Sequence, residues 1–377
     1  MRFRACVIAM MAVIATGSAA RAEVRLSLDG WVDGKPTRFM LDTGLSYSLA
    51  AFPDGAARLG LTVAEPPPSG DSASVLMRGL SSARRILISK SSPEAQGVFV
   101  LFKSAPEGLV PGRDFDAMIG WATIEANVLY YAPGRGVARF DRAIPMDLSA
   151  GQAFRLIDSN VAVLDAGAPA SPLPVMIDTG SNAGVQLSSA LWIAWLKAHP
   201  EQPMTLHSSY SPATEAIVTP QAFASVLRLG RLTLRNVLVS ELPASRHYGA
   251  VPPEAIIGLD VFANQDLYLD GPGKTVVLLP PERPTPVVYN RLGAAFTPPG
   301  FVARVATASP ASRAGILDGD VLVRLDGLAP EAYAARVDAP SVWMQPSGTT
   351  IALTLRRGQT LIERQVVLED FLGQASP

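Results

Sequence analysis

Apolar and polar residues alternate along short stretches of the chain, and clusters of turn residues separate these stretches. Residues 24–28 alternate, Asp33 and Gly34 form a tight-turn pair, and residues 38–41 form an apolar-rich stretch after that turn. The pattern recurs at residues 84–88 and 98–101, between clusters of Ser, Pro and Gly. Alternation with a period of two predicts half-buried strands. The chain is therefore expected to be mainly β and to begin with a hairpin.

One tripeptide occurs twice in the same apolar context. Three apolar residues lead into Asp42-Thr43-Gly44, and the same arrangement leads into Asp178-Thr179-Gly180 much later in the chain. Much later in each half of the chain, a segment of two apolar residues ends in a glycine. These glycines, Gly120 and Gly258, lie at nearly the same distance after their aspartates. An internal repeat of this length predicts two similar β lobes.

The repeat and a proline-rich segment divide the chain. The first lobe is expected over residues 23–145 and the second over residues 146–282. The second lobe contains one predicted helix, residues 188–198, whose apolar residues recur at helical spacing after a serine cap. Residues 280–286 are rich in proline, which is typical of a stiff linker. Residues 283–377 are expected to form a small third domain with a short tail.

Residues 1–22 have the three-part order of a secretory signal. Arg2 and Arg4 precede an apolar stretch at residues 6–15, and Ala20-Arg21-Ala22 provides a cleavage site with small residues. The stretch is too short to span a bilayer as a helix. Cleavage near Ala22 is expected to give a periplasmic or secreted protein without a stable membrane span. It also removes Cys6, the single cysteine of the sequence, so no disulfide or thiolate site is expected.

The charge balance and the histidines argue against several classes of function. Lys and Arg total 32 against 33 Asp and Glu, which gives a formal net charge of −1. Because this balance provides no electrostatic attraction for nucleic acid, nucleic acid is not an expected partner. The three histidines, His199, His207 and His247, lack the spacing of a catalytic zinc site. No metal and no cofactor are therefore expected.

Two carboxylates at the ends of apolar strands, one in each of two similar lobes, predict an acid–base pair. Like charges held close together share one proton, which makes an acid and a base from two identical residues. Gly44 and Gly180 have no Cβ, so the backbone can turn sharply and approach a carboxylate. The neighbouring threonines supply hydroxyls that can hold the two loops together. Asp42 and Asp178 are thus the candidate catalytic residues.

These motifs resemble the retropepsin-like aspartic proteases in their bacterial two-lobed arrangement. The resemblance covers most of residues 23–282 and rests on the two Asp-Thr-Gly tripeptides and on the elements that end at Gly120 and Gly258. It implies two β-barrel lobes related by a pseudo-twofold axis, with hairpin flaps near residues 77–81 and 207–210. It also implies a catalytic pair, Asp42 and Asp178, supported by Thr43, Gly44, Thr179, Gly180 and Ser181. The first lobe departs from the family's pattern, because Leu45 stands where the second lobe has Ser181.

Residues 285–371 resemble a PDZ domain, a β-rich α+β fold found in bacterial envelope proteases. The matching segments are Ser309-Pro310-Ala311, Ala314-Gly315-Ile316 and Gly319-Asp320-Val321. The resemblance implies a loop whose backbone N–H groups receive the C-terminal carboxylate of a peptide, while the peptide adds to the sheet as a strand. That loop would be formed by Leu292, Gly293, Ala294 and Ala295.

Together these features predict an exported aspartic endopeptidase that hydrolyses protein or peptide substrates. It is expected to act as a monomer, because both half-sites lie in one chain. Its PDZ domain would recruit substrate or regulate the site, with a C-terminal peptide as ligand. Since fold does not fix function, the alternative is a catalytically silent envelope scaffold of the same fold that binds peptides. A third hypothesis is a protease that only processes itself at the proline-rich linker.

Overall fold

The computed structural model describes residues 26–66, 77–88, 95–103, 115–145, 148, 150–168, 170–181, 183–211, 214–243, 251–280, 286–297, 300–334 and 342–373. The predicted secretory signal and the centre of the proline-rich segment, residues 281–285, lie outside these residues. The fold is mainly β, which confirms the prediction from the alternating pattern. Among the described residues, no helix combines the length and the apolar character needed to cross a membrane.

The first lobe contains a closed barrel of six strands. Its elements are β1 (Ser27–Val32), β2 (Lys35–Asp42), β3 (Leu49–Ala51), α1 (Pro53–Leu59), β4 (Met77–Leu87), β5 (Ala95–Phe102), β6 (Ala117–Gly120), α2 (Trp121–Ile124), β7 (Val128–Ala132) and β8 (Val137–Asp141). The barrel order is β1-β2-β6-β3-β5-β4. Strands β1 and β2 form the predicted hairpin, and its turn requires positive φ at Asp33 (48°) and Gly34 (79°).

The second lobe repeats this strand order in an open sheet. Its elements are β9 (Gln152–Arg155), β10 (Val163–Asp165), β11 (Pro174–Ile177), β12 (Val185–Leu187), α3 (Ser189–Ala198), β13 (Met204–Ser211), β14 (Thr214–Leu229), β15 (Leu232–Glu241), β16 (Ala255–Ile257), α4 (Leu259–Phe262), β17 (Asp266–Asp270) and β18 (Thr275–Leu279). The order β10-β11-β16-β12-β15-β14 matches the barrel strand for strand, and β13 is added at the edge.

The predicted helix of the second lobe is present as α3. The side chain of Ser188 caps it by accepting a hydrogen bond from the Leu191 backbone N–H. Trp192 and Trp195 are buried and stack with ring centroids 5.5 Å apart. These tryptophans are packing residues, as their helical spacing predicts.

A third sheet joins the two lobes. Its order is β8-β7-β17-β18-β9, so β7 of the first lobe pairs directly with β17 of the second. Strands β7 and β17 are antiparallel, with Tyr130 opposite Tyr268 and the two rings stacked 4.6 Å apart. One hydrophobic core continues through both lobes and includes Leu41, Ile119, Ile177 and Ile257. The two lobes therefore form one packed body around the shared sheet.

The C-terminal part has its own sheet and its own core. Its elements are β19 (Ala294–Thr297), β20 (Val302–Val305), α5 (Pro310–Arg313), β21 (Val321–Leu325), α6 (Pro330–Ala334), β22 (Thr350–Arg357) and β23 (Thr360–Val367), with the strands ordered β19 to β23 across the sheet. Ser309 caps the short helix α5 by accepting a hydrogen bond from Ser312 N–H. A separate hydrophobic cluster that includes Leu292, Ile316 and Leu355 fills this unit.

A buried carboxylate in the C-terminal unit predicts a pH effect. Arg357 donates to both oxygens of the Asp320 carboxylate at 2.7 and 2.8 Å, and this hydrogen bonding lowers the pKa of Asp320. A carboxylate whose pKa is lowered in the folded state stabilises the fold at pH values above its unfolded pKa. That contribution is lost as the pH falls from the unfolded pKa through the folded pKa. We expect Asp320→Asn to reduce the loss of stability below about pH 4. Urea midpoints followed by fluorescence between pH 7 and pH 3 measure this.

The control for this prediction is Glu363→Gln, because Glu363 is an exposed residue of the same unit. This variant should keep the acid sensitivity of the wild type. An Asp320→Asn protein whose midpoint falls with pH as steeply as that of the wild type would contradict the prediction.

Candidate active site

The two predicted aspartates lie at equivalent strand ends. Asp42 is the last residue of β2, which runs parallel to β6 with Asp42 opposite Gly120. Asp178 directly follows β11, which runs parallel to β16, and its N–H donates to Ile257 O at 2.9 Å. The structure brings these two strand ends together although they belong to different lobes and are far apart in the sequence.

The two threonines interlock the loops through reciprocal hydrogen bonds. Thr43 N–H donates to Thr179 Oγ1 at 3.1 Å, and Thr179 N–H donates to Thr43 Oγ1 at 3.0 Å. Each hydroxyl then donates across to the other lobe, from Thr43 to Ile177 O at 2.7 Å and from Thr179 to Leu41 O at 2.9 Å. Both threonines are buried, with exposed fractions of 0% and 1%. These four bonds satisfy buried backbone groups and fix the two loops face to face.

Each carboxylate lies against the glycine of the opposite loop. A Cβ placed on Gly180 would lie 2.5 Å from Asp42 Oδ2, and one on Gly44 would lie 2.7 Å from Asp178 Oδ1. Each glycine also donates its own N–H to the aspartate of its own loop, at 2.9 Å in both lobes. Only a residue without a side chain fits between the two loops at these positions.

The elements that end at Gly120 and Gly258 close the two loops in the same way. In the first lobe Trp121 N–H donates to Leu45 O at 2.7 Å. In the second lobe Leu259 N–H donates to Ser181 O at 2.8 Å. These equivalent bonds place the distant glycine elements beside the aspartate loops, where the repeat predicts them.

Backbone N–H groups of both loops bond to the aspartates. The main-chain oxygens of the two aspartates accept equivalent bonds, from Leu45 N–H at 3.3 Å in the first lobe and from Ser181 N–H at 3.2 Å in the second. Asp178 Oδ1 also accepts hydrogen bonds from Gly180 N–H at 2.9 Å and from Ser181 N–H at 3.1 Å. The hydroxyl of Ser181 accepts from Ala183 N–H at 3.4 Å. In the second loop, residue 181 therefore supports the carboxylate through its backbone N–H.

A difference in polarity between the two lobes was missed in the sequence. In the first lobe Met40, Met118, Ala50 and Val100 lie side by side across four strands and join an apolar cluster. Leu45 packs against that cluster. An alignment of the two repeats would have shown this difference, because Ala50 and Gln186 occupy the same position relative to Asp42 and Asp178.

The equivalent row in the second lobe contains polar residues. Gln186 and Ser240 lie opposite each other on β12 and β15, and Gln221 on β14 continues the row. All three are buried, with exposed fractions of 1% or 2%, and side-chain polar atoms of each lack a hydrogen-bond partner within the described ranges. The two lobes therefore differ in polarity along this part of the row, whereas Met176 and Ile256 keep it apolar on the first two strands.

The predicted flap segments lie in strands. Residues 77–81 begin β4, whose Leu80 forms an isolated bridge with Glu65. Residues 207–210 lie in β13, close to the turn into β14. Both segments thus lie on strands of the two lobes, β4 in the barrel and β13 at the edge of the open sheet. Their function as flaps remains a prediction.

The four residues predicted to receive a peptide carboxylate lie partly in a loop and partly in a strand. Ala294 and Ala295 begin strand β19, whereas Leu292 and Gly293 precede it. The N–H groups of Leu292 and Gly293 both donate to Asn290 Oδ1 at 3.1 Å. A neighbouring side chain, that of Asn290, thus occupies two of the predicted N–H groups, and their function in receiving a peptide carboxylate stays a prediction.

The contact between each glycine and the opposite carboxylate makes a direct prediction. For the peptide hydrolysis that the sequence predicts, we expect Gly180→Ala to lower kcat/KM by about 100-fold, because a methyl group 2.5 Å from Asp42 Oδ2 must displace that carboxylate. Gly136→Ala is the control, because an added methyl group there meets no described atom within 4 Å, although alanine is strained at its φ of 67°. Full activity in Gly180→Ala would show that the Asp42 carboxylate is not held as described.

Compared with known protein families and with curated proteins, the chain matches no family model and no curated sequence.

Proposed function

We propose that this chain is an exported aspartic endopeptidase of the two-lobed, retropepsin-like kind, with Asp42 and Asp178 as its catalytic pair. The observation that carries the proposal is the reciprocal exchange between Thr43 and Thr179, which holds two Asp-Thr-Gly loops against each other. The matching strand order of the two lobes supports it, because it relates the two aspartates by a pseudo-twofold arrangement. Both half-sites lie in one chain, so the proposed active form is a monomer.

The chemistry of the pair follows from the close approach of its two loops, because like charges held close together share one proton. One aspartate, Asp178 in the proposed scheme, is then the base, and the other, Asp42, is the protonated partner. Asp178 takes a proton from a water molecule, and the water oxygen attacks the peptide carbonyl carbon. Asp42 donates its proton to the carbonyl oxygen as the charge on that oxygen develops.

The second half of the reaction reverses these proton positions. The tetrahedral diol loses a hydroxyl proton to Asp42, and the proton held by Asp178 passes to the amide nitrogen. The carbon–nitrogen bond then breaks, which releases a carboxylic acid and an amine and restores the original protonation of the pair. No cofactor is needed for this balance, because one water molecule supplies the oxygen and the two hydrogens that the products gain.

We assign the C-terminal unit, residues 286–373, as a PDZ-like domain that recruits substrate or regulates the protease. The order of its elements and its capped helix at Ser309 support this assignment. The predicted secretory signal places the mature protein in the periplasm or outside the cell. Its partners are then protein or peptide substrates and a C-terminal peptide ligand.

The test of the proposed function is cleavage of a peptide library by purified residues 23–377. Incubation between mildly acidic and neutral pH, followed by mass spectrometry of the products, is expected to show internal cleavage of peptides. Binding of peptides without any cleavage would favour the scaffold hypothesis. A single new fragment of the protein itself that ends near the proline-rich segment, with the library intact, would favour self-processing.

A further inference from the structure

Two backbone N–H groups at the start of the C-terminal unit converge on one oxygen atom. Leu292 N–H and Gly293 N–H both donate to Asn290 Oδ1 at 3.1 Å, and Gly293 has a φ of 69° that suits a glycine. Successive N–H groups that point at one acceptor form a nest, an arrangement that binds anionic oxygens. Here the carboxamide oxygen of Asn290 occupies the position that a carboxylate oxygen would take.

The same asparagine connects this nest to the second lobe. Its Nδ2 donates to Leu206 O at 3.1 Å and to Ala294 O at 2.8 Å. Its main-chain oxygen accepts from Thr205 Oγ1 at 2.5 Å. The residue is buried, with an exposed fraction of 8%. Asn290 therefore cannot leave the nest without breaking a bond to β13.

Strand β13 is an edge strand of the second lobe, and β19 is an edge strand of the C-terminal sheet. The two strands lie against each other, and Leu206 packs with Ala295 and Ala306. Strand β13 also carries residues 207–210, the candidate flap of the second lobe. The Asn290 contacts thus link the nest to a hairpin beside the proposed active site.

The second lobe contains buried polar side chains close to this contact, and some of their atoms lack hydrogen-bond partners among the described residues. Gln221 on β14 lies opposite both Thr205 and Ser240, and two residues along the same strand Phe223 packs against Tyr289. Within the described ranges, Gln221 Nε2 and Ser240 Oγ are buried without a hydrogen-bond partner. Thr205, which bonds to the main-chain oxygen of Asn290, therefore lies opposite a buried polar side chain whose Nε2 has no partner among the described residues.

We propose that Asn290 is a latch: a peptide with a free C-terminal carboxylate displaces its carboxamide from the nest and so releases β13 from the C-terminal unit. The ligand class follows from the chemistry of the nest, which binds an anionic oxygen, and from the edge strand beside it, which can pair with an extended peptide. The consequence for peptidase activity rests on the proposed function. The competition for the nest does not, because it involves neither aspartate.

The experiment measures fluorescence anisotropy of a labelled peptide that ends in valine, as the free acid and as the C-terminal amide, with residues 23–377. A side chain that occupies the nest reduces the apparent affinity for the peptide, because only the molecules with an open nest can bind it. Asn290→Ala is therefore expected to bind the free acid about 10-fold more tightly than the wild type does. The amide should bind weakly to both proteins. Asn127→Ala, which removes a partly buried asparagine from the first lobe, should match the wild type.

A second measurement keeps the test decisive if Asn290→Ala alters the loop. Thr205→Val leaves Asn290 in place but removes one bond to β13, and it should also bind the free acid more tightly than the wild type. Saturating free acid should speed amide hydrogen exchange in residues 204–211 of the wild type. Equal binding of acid and amide, or no gain in affinity in either variant, would overturn the latch. Neither peptide binding nor hydrogen exchange depends on peptidase activity. Failure of the proposed function would therefore be seen separately, in the peptide-library experiment.

Discussion

Asp178→Asn is expected to lower kcat/KM for peptide hydrolysis by at least about 10³-fold, with little change in the stability of the fold. The substitution keeps the shape of the side chain, but an amide cannot take a proton from water. Asp42→Asn should cause a loss of similar size, because the carbonyl oxygen then lacks its acid. Initial rates on a cleaved library peptide, measured at several substrate concentrations, give the ratio for each variant.

The control for both aspartate variants is Asp54→Asn, because Asp54 is an exposed aspartate of helix α1 in the first lobe. This variant should hydrolyse the peptide at the wild-type rate. Circular dichroism of all three variants checks that each is folded. Cleavage that survives both active-site substitutions would rule out the paired-aspartate mechanism, even if the wild type is a peptidase.

Thr179→Val is expected to lower the free energy of unfolding by about 3 kcal/mol. The change removes the hydroxyl that donates to Leu41 O and accepts from Thr43 N–H, and it leaves both backbone groups buried without these bonds. Thr179→Ser is the matched control, because it keeps the hydroxyl and should recover most of the loss. Urea unfolding followed by tryptophan fluorescence measures all three proteins.

The reciprocal bonds also predict coupling between the two threonines. Thr43→Val should cost a similar free energy, because Thr43 Oγ1 donates to Ile177 O and accepts from Thr179 N–H. If the four bonds act as one unit, the double variant should lose less than the sum of the two single losses. A loss below about 0.5 kcal/mol for Thr179→Val would contradict the description of this exchange as the joint between the lobes.

Local features of the sequence predicted local features of the fold. The Asp33-Gly34 hairpin and the Ser188-capped helix each depend on residues within a few positions of one another, so their patterns are readable directly. The repeat extended this to longer range, since two Asp-Thr-Gly loops in matching contexts predict a shared site. The structure places Thr43 and Thr179 in contact across that site.

Features set by long-range register could not be read in the same way. The pairing of Tyr130 with Tyr268 joins strands from different lobes, and nothing in either segment identifies the other as its partner. The Asn290 carboxamide was missed for a different reason. Asparagine side chains often bond to backbone N–H groups two or three positions later, so its place before Leu292 and Gly293 was a readable signal.

One chain is proposed to supply both halves of one hydrolytic site. The rate of peptide hydrolysis by the wild type and by an equimolar mixture of Asp42→Asn and Asp178→Asn, over a range of protein concentrations, tests this directly. We expect a wild-type rate per chain that does not change on dilution and a mixture that remains inactive. Recovery of activity in the mixture, as would follow if each site combined loops from two chains, would contradict it.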